Sequence, residues 1–226
     1  MSVHLQNEIE NLKKKIISLG ADVEANLHMA VKSLKTRDMV LGEKIIQADQ
    51  MIDKREVDLE EECLKILALH QPVAIDLRFV IAVLKINNDL ERIGDLAVNI
   101  AEQAVFLSAQ PPIDIPFDFS GMAEKTKSML RNSLEALVNV DPALARAVCA
   151  ADDEVDAINR EMYSQVQDGI RKDISKMECL IHYLGAARHL ERIADLATNI
   201  GEDVIYMVDG EIVRHKTEDF RNLVSG

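Results

Sequence analysis

The chain has 226 residues, 48% of them hydrophobic and 4% aromatic, with no Trp, 9 Gly and a formal net charge of −13. That balance excludes a general nucleic-acid binder, which needs a basic face to displace counterions, opposes tight binding to anionic membranes, and points away from β-architectures. No apolar run reaches the roughly 18 residues of a membrane span and MSVHLQNEIENLKKK lacks an apolar signal core, so a soluble, cytoplasmic protein that is not membrane-embedded is expected.

Periodic apolar positions with few breakers predict helices over residues 5–34, 38–69 and 73–108. The second stops at Gln71-Pro72, because a proline ring disfavours helix in the residue before it. QPPIDIPFDF, residues 110–119, carries three prolines, cannot continue a helix, and is expected to bridge two halves. Further helices are predicted over 120–137, over 142–171, with Pro142 well placed as a first helical residue after Asp141, and over 173–208. A turn and short tail should follow. Cys63, Cys149 and Cys179 have no CxxC spacing and read as reduced, packed thiols.

The central observation is a repeat. LERIGDLAVNI, Leu90 to Ile100, returns one hundred residues later as LERIADLATNI, Leu190 to Ile200, differing only at Gly94/Ala194 and Val98/Thr198. The simplest architecture is all-α: two tandem three-helix bundles of long antiparallel helices, residues 1–109 and 120–226, on either side of a Pro-rich linker, 110–119.

At about 100° per residue, Asp95 falls about 40° from Glu91, Asn99 about 80° and Glu102 about 20°, opposite an aliphatic arc of Leu90, Ile93, Leu96, Ala97 and Ile100. Glu191, Asp195, Asn199 and Glu202 repeat the stripe. Like charges four apart repel, so the spacing works against the helix unless something neutralises it. On the preceding helices Asp49 and Asp53 lie among Ile45, Ile52, Leu59 and Cys63, and Asp152 and Asp156 among Val148, Cys149, Val155 and Ile170. Carboxylate pairs on a face turned to other helices need a cation, a proton or strong donors. One reading pairs them with Arg92 and Arg192, leaving a passive helical scaffold. The other is an all-oxygen metal site, where Asp-x-x-x-Asp on one helix meets Glu-x-x-x-Asp on the next, suited to magnesium, manganese, calcium or iron. His182 and His189 fall on the aliphatic arc and read as packing residues. No P-loop, GxGxxG or nucleophile–base pair is present, so no catalytic or organic-cofactor residue is assigned and no enzyme is expected.

Asp-x-x-x-Asp on the second helix and ERI(G/A)DLA-x-NI on the third, in both halves, together with PVAIDLRFV at residues 72–80, resemble the PhoU family of phosphate-uptake regulators. The resemblance covers nearly the whole chain. It implies a cytoplasmic, often homodimeric regulator that acts by contact with the ATPase subunit of a phosphate ABC transporter and with a sensor histidine kinase. It also implies metal ions on oxygen ligands, with iron, magnesium, manganese and zinc as candidates. The matching ligand positions are Asp49, Asp53, Glu91 and Asp95, then Asp152, Asp156, Glu191 and Asp195; Asn99, Glu102, Asn199 and Glu202 extend them. The second half has Lys176 and Glu178 where Asp76 and Arg78 align, so a role specific to that segment is expected in the first half alone. A metal-dependent phosphoester hydrolase is the alternative activity, on the ground that a multinuclear carboxylate site can acidify bound water.

Overall fold

The computed structural model describes residues 3–210, and within them all regular structure is helical. Six long helices follow one another: α1 Val3–Thr36, α2 Met39–His70, α3 Ala74–Ser108, α4 Phe119–Asn139, α5 Pro142–Lys172 and α6 Met177–Asp209. The expected tail after residue 210 lies outside the described residues.

Local chemistry sets the breaks. Asp38 caps α2 by accepting from Leu41 N at 3.0 Å, and Asp118 caps α4 by accepting from Gly121 N at 2.8 Å. Asp141 accepts from Ala143 N and Leu144 N at 2.9 and 3.0 Å, with Pro142 following where its missing N–H costs nothing. Asp141→Ala should therefore lower the unfolding free energy by about 1 kcal/mol in urea titrations, while leaving the helical circular dichroism unchanged. One boundary differs from expectation. The last helix starts at Met177, not residue 173, because Asp173 has extended backbone and its carboxylate accepts from both Ser175 N and Ser175 Oγ. That closes a short 3-10 turn, Ile174–Lys176, before the helix begins.

α1, α2 and α3 pack together, as do α4, α5 and α6, giving the two bundles. The bundles are not separate bodies: α3 packs along α6 and α1 meets α4, so the buried residues form one continuous core. Near the start of α3, Arg78 Nε donates to the Met207 carbonyl at 3.3 Å, and Lys85 Nζ lies 2.9 Å from Asp203 Oδ1 near the end of α6. Gln103, near the end of α3, lies 2.5 Å from His182 Nδ1 near the start of α6. The two helices are thus antiparallel and their repeated segments cross at mid-length. Burial follows the repeat: each position from Leu90 to Ile100 has the same exposure class as its counterpart from Leu190 to Ile200.

Each half also needs a residue without a side chain where its acid-bearing helices approach. In the first half this is Gly42 of α2, where a Cβ would sit 3.1 Å from the Ala101 carbonyl oxygen. In the second half the roles are exchanged: Gly201 of α6 lies against the Ala145 carbonyl, again at 3.1 Å. His182 is a packing residue as expected, stacked on Phe106 with ring centroids 3.6 Å apart. The three cysteines are free and buried, and burial pushes the Cys63 and Cys149 thiols up to about 12.

Candidate metal centre

In the first half, α2 and α3 bring Asp49, Asp53 and Asp95 together, with one oxygen of each within 4.8 Å of the others. Gly94 makes room for this. A Cβ there would stand 3.4 Å from both Asp49 Oδ1 and Ile52 Cγ2, so the helix face beside Asp95 is open to α2. Asp49 is half-buried, whereas Asp53 and Asp95 are exposed. Burial, with the Asp53 and Asp95 charges behind it, pushes the Asp49 carboxyl up to about 6. Glu91 is raised by burial first and then by Asp95, Glu56, Asp53 and Asp49, so the whole stripe shares one repulsive field.

The second half repeats the field without the tight trio. Burial pushes Asp152 up to about 7, helped by Asp195, Asp156, Asp153 and Glu191. Burial and neighbouring acids likewise raise Glu191 and Asp195, with Arg192 opposing in both cases. Among the described residues, no three of these second-half acids bring oxygens as close as the first-half trio does. Ala194 stands where Gly94 stands in the first half.

Arg92 and Arg192 are not on the aspartates; Asp156 pairs instead with Arg160 of its own helix, at 3.6 Å. Among the described residues neither Arg92 nor Arg192 comes within 4.0 Å of a carboxylate; both line a cleft of about 320 Å3 between α3 and α6. That cleft is built from the same four positions of each half: Arg92, Asp95, Leu96 and Asn99 with Arg192, Asp195, Leu196 and Asn199. Asn99 and Asn199 therefore sit on the line where the halves meet. Glu202 borders a neighbouring cleft of about 690 Å3 with Lys85, Asn88, Asp89 and Arg92, and Glu102 lies on the exposed surface of α3.

Two further residues border the first-half site. Asn87 is 1% exposed and its Nδ2 donates to the Glu56 carbonyl at 3.0 Å and to Glu56 Oε1 at 3.2 Å. Glu56 is raised by burial, then by Glu60 and Asp53. A sequence signal existed for both, since Glu56 continues the Asp49–Asp53 stripe by one turn and Asn87 precedes Glu91 by one turn.

These residues fit a hard cation. All the donors are oxygens, and three carboxylate oxygens lie within 4.8 Å of one another, close to the roughly 4.2 Å between opposite ligands of an octahedral ion with bonds of roughly 2.1 Å. A bound ion would neutralise the stripe and reverse the sign of the local field. The chain holds Asp49, Asp53 and Asp95 convergent, with Glu91 beside them in the same repulsive field.

Six long helices, a duplicated acid stripe and a pseudo-two-fold cleft between the copies define a class: an all-helical tandem-repeat protein with an acidic face on each half. A family model described as the PhoU domain matches twice, over residues 16–104 and 119–204. The chain belongs to the PhoU family. It is 36% identical over 212 residues to the phosphate-specific transport system accessory protein PhoU homolog of Aquifex aeolicus, covering 94% of this chain and 96% of that one. The corresponding homolog 1 of Thermotoga maritima is 33% identical over 225 residues, covering 99% and 96%. Among solved structures, PhoU from Pseudomonas aeruginosa superposes with a TM-score of 0.87 at 32% identity, covering 91% of this chain and 99% of that one. The phosphate transport system regulatory protein PhoU from Streptococcus pneumoniae gives 0.85 at 29% identity, covering 92% and 99%.

Proposed function

We propose that the protein is a cytoplasmic accessory regulator of phosphate uptake and phosphate-starvation signalling. It works by contact, as a homodimer, with the ATPase subunit of a phosphate-specific ABC transporter and with a sensor histidine kinase. Its acidic helix faces, loaded with divalent cations at Asp49, Asp53, Glu91 and Asp95 and at Asp152, Asp156, Glu191 and Asp195, form the contact surface. The observation that carries this reading is full-length similarity to relatives named as phosphate-specific transport system accessory proteins. Two physical points support it. No helix among the described residues is long and apolar enough to cross a membrane. A chain of net charge −13 also needs a bridging cation before an acidic face can rest on another acidic surface.

The test is co-purification of the full chain with the transporter ATPase subunit and, separately, with the kinase's cytoplasmic portion, with Mn2+ and with chelator. Retention of at least one partner in Mn2+, reduced at least tenfold in chelator or in an Asp49/Asp53/Glu91/Asp95 quadruple alanine variant, is expected. Binding to neither partner in Mn2+ would defeat the proposal.

A further inference from the structure

We infer that the cleft between α3 and α6 binds one inorganic phosphate ion on the local two-fold axis, gripped by Arg92 and Arg192. The site lies between the halves and needs no metal ion. It goes beyond the regulatory reading, which stands whether or not the cleft takes the anion.

The cleft is one stripe used twice. Arg92, Asp95, Leu96 and Asn99 follow the i, i+3, i+4, i+7 spacing of a single helix face, and Arg192, Asp195, Leu196 and Asn199 repeat it on the antiparallel neighbour. Its volume of about 320 Å3 stands at the lower end of ligand pockets and suits a compact ion. Leu96 and Leu196, 3% and 7% exposed, give it an apolar floor, beside which charged contacts are stronger than in open water. Both guanidiniums reach it uncommitted: among the described residues neither lies within 4.0 Å of a carboxylate. Asn99 and Asn199 bring an amide NH2 donor from each helix to the same lining.

A dyad with two forked cations selects the shape of its ligand. A guanidinium presents parallel N–H groups that match two oxygens of one anion. In a tetrahedral oxyanion a two-fold axis exchanges opposite O–O edges, so each arginine receives an edge of its own. A carboxylate has one such edge only, and a phosphate ester has given one of its four oxygens to the substituent. The two aspartates decide between the ions that remain. Phosphate at neutral pH still carries a proton, and its hydroxyl donates to Asp95 or Asp195; sulfate has no proton to give and meets only repulsion. Asp95 offers one oxygen to the Asp49 trio and borders the cleft as well.

The test is equilibrium dialysis of the metal-free full chain, in chelator, against radiolabelled inorganic phosphate, with sulfate and phenyl phosphate as competitors. One phosphate per chain is expected, because the halves share a site on the dyad, whereas a site within each half would bind two. Arg92→Gln and Arg192→Gln should each weaken binding at least tenfold, and by similar factors. Arg188→Gln, one turn before Arg192 and outside the cleft, should leave the affinity unchanged, which separates a built site from general attraction to a basic surface. Sulfate should compete at least tenfold less well than phosphate, and Asp95→Asn/Asp195→Asn should narrow that preference. All four substituted cleft residues are exposed, and helical circular dichroism matching the parent checks that each variant folds. Two phosphates per chain, sulfate competing as well as phosphate, or phenyl phosphate competing better than phosphate would each overturn the inference. So would the absence of saturable binding, or an Arg92→Gln/Arg192→Gln chain that binds like the parent.

Discussion

Lys85→Met is expected to lower the unfolding free energy by about 2 kcal/mol, the scale of one hydrogen bond to a charged group lost from a buried carboxylate with a partly exposed lysine. Its ammonium stands 2.9 Å from Asp203 Oδ1, on a carboxylate only 2% exposed, and lies over the Tyr206 ring at 5.1 Å from the centroid. The variant leaves that carboxylate buried and without the Lys85 ammonium, a larger loss than the contact itself contributes. For a chain of this size the melting temperature should fall by on the order of 5 °C. The fold contains its own control. At the pseudo-equivalent place across the two-fold, Gln103 and Gly185 meet without any charge, and a Cβ on Gly185 would find Gln103 Cδ at 3.8 Å. A neutral pair is therefore compatible with the packing, and Lys85→Met/Asp203→Asn should recover most of the stability. If the single variant melts like the parent, the α3–α6 ion pair contributes nothing.

The acid faces make the second large prediction, in pH. Asp49 rises from 3.8 to about 6 and Asp152 from 3.8 to about 7 on folding, both chiefly through burial. Between about pH 4 and pH 7 the folded, metal-free chain thus holds protons that the unfolded chain has released. Unfolding free energy then falls as pH rises through that window. Below 3.8 the groups bring no penalty; above about 7 both are ionised and the metal-free fold bears all of it. The Asp49→Asn/Asp152→Asn variant should therefore melt above the metal-free parent at pH 8, with the gap narrowing at pH 5. Mn2+ at about 100 times its dissociation constant should add about 2.7 kcal/mol to the parent at pH 8 and little to the variant. At pH 5 protons compete for the same oxygens and the gain shrinks. A gap between parent and variant that is the same at both pH values would refute the shared repulsive field.

How much of this was legible beforehand follows from the range of each interaction. Helix existence was readable because apolar period and breakers are local, and the caps at Asp38 and Asp141 sit within three residues of what they bind. Asp173 was misread as the start of a helix, since the choice between continuing α6 and closing a turn depends on Ser175 turning back onto it. The acid stripes were readable as a repeat. The pairing of Glu56 with Asn87 was not, because it depends on the register between α2 and α3, which one helix wheel does not contain. Arg92 and Arg192 were natural partners for the aspartates by spacing alone; in three dimensions they lie in the cleft between the halves. Lys85 and Asp203 are separated by most of α3, α4, α5 and α6, and nothing local joins them.

The cleft that draws Asp95 and Asp195 onto one line also sets the valency of the molecule. A single chain displays the same acid-edged motif twice, related by a local dyad and held rigid by the core that α3 and α6 share. A partner with two matching patches can engage both at once, and the second engagement is then intramolecular, multiplying affinity without any new kind of contact. A partner that offers one patch gains nothing from the duplication.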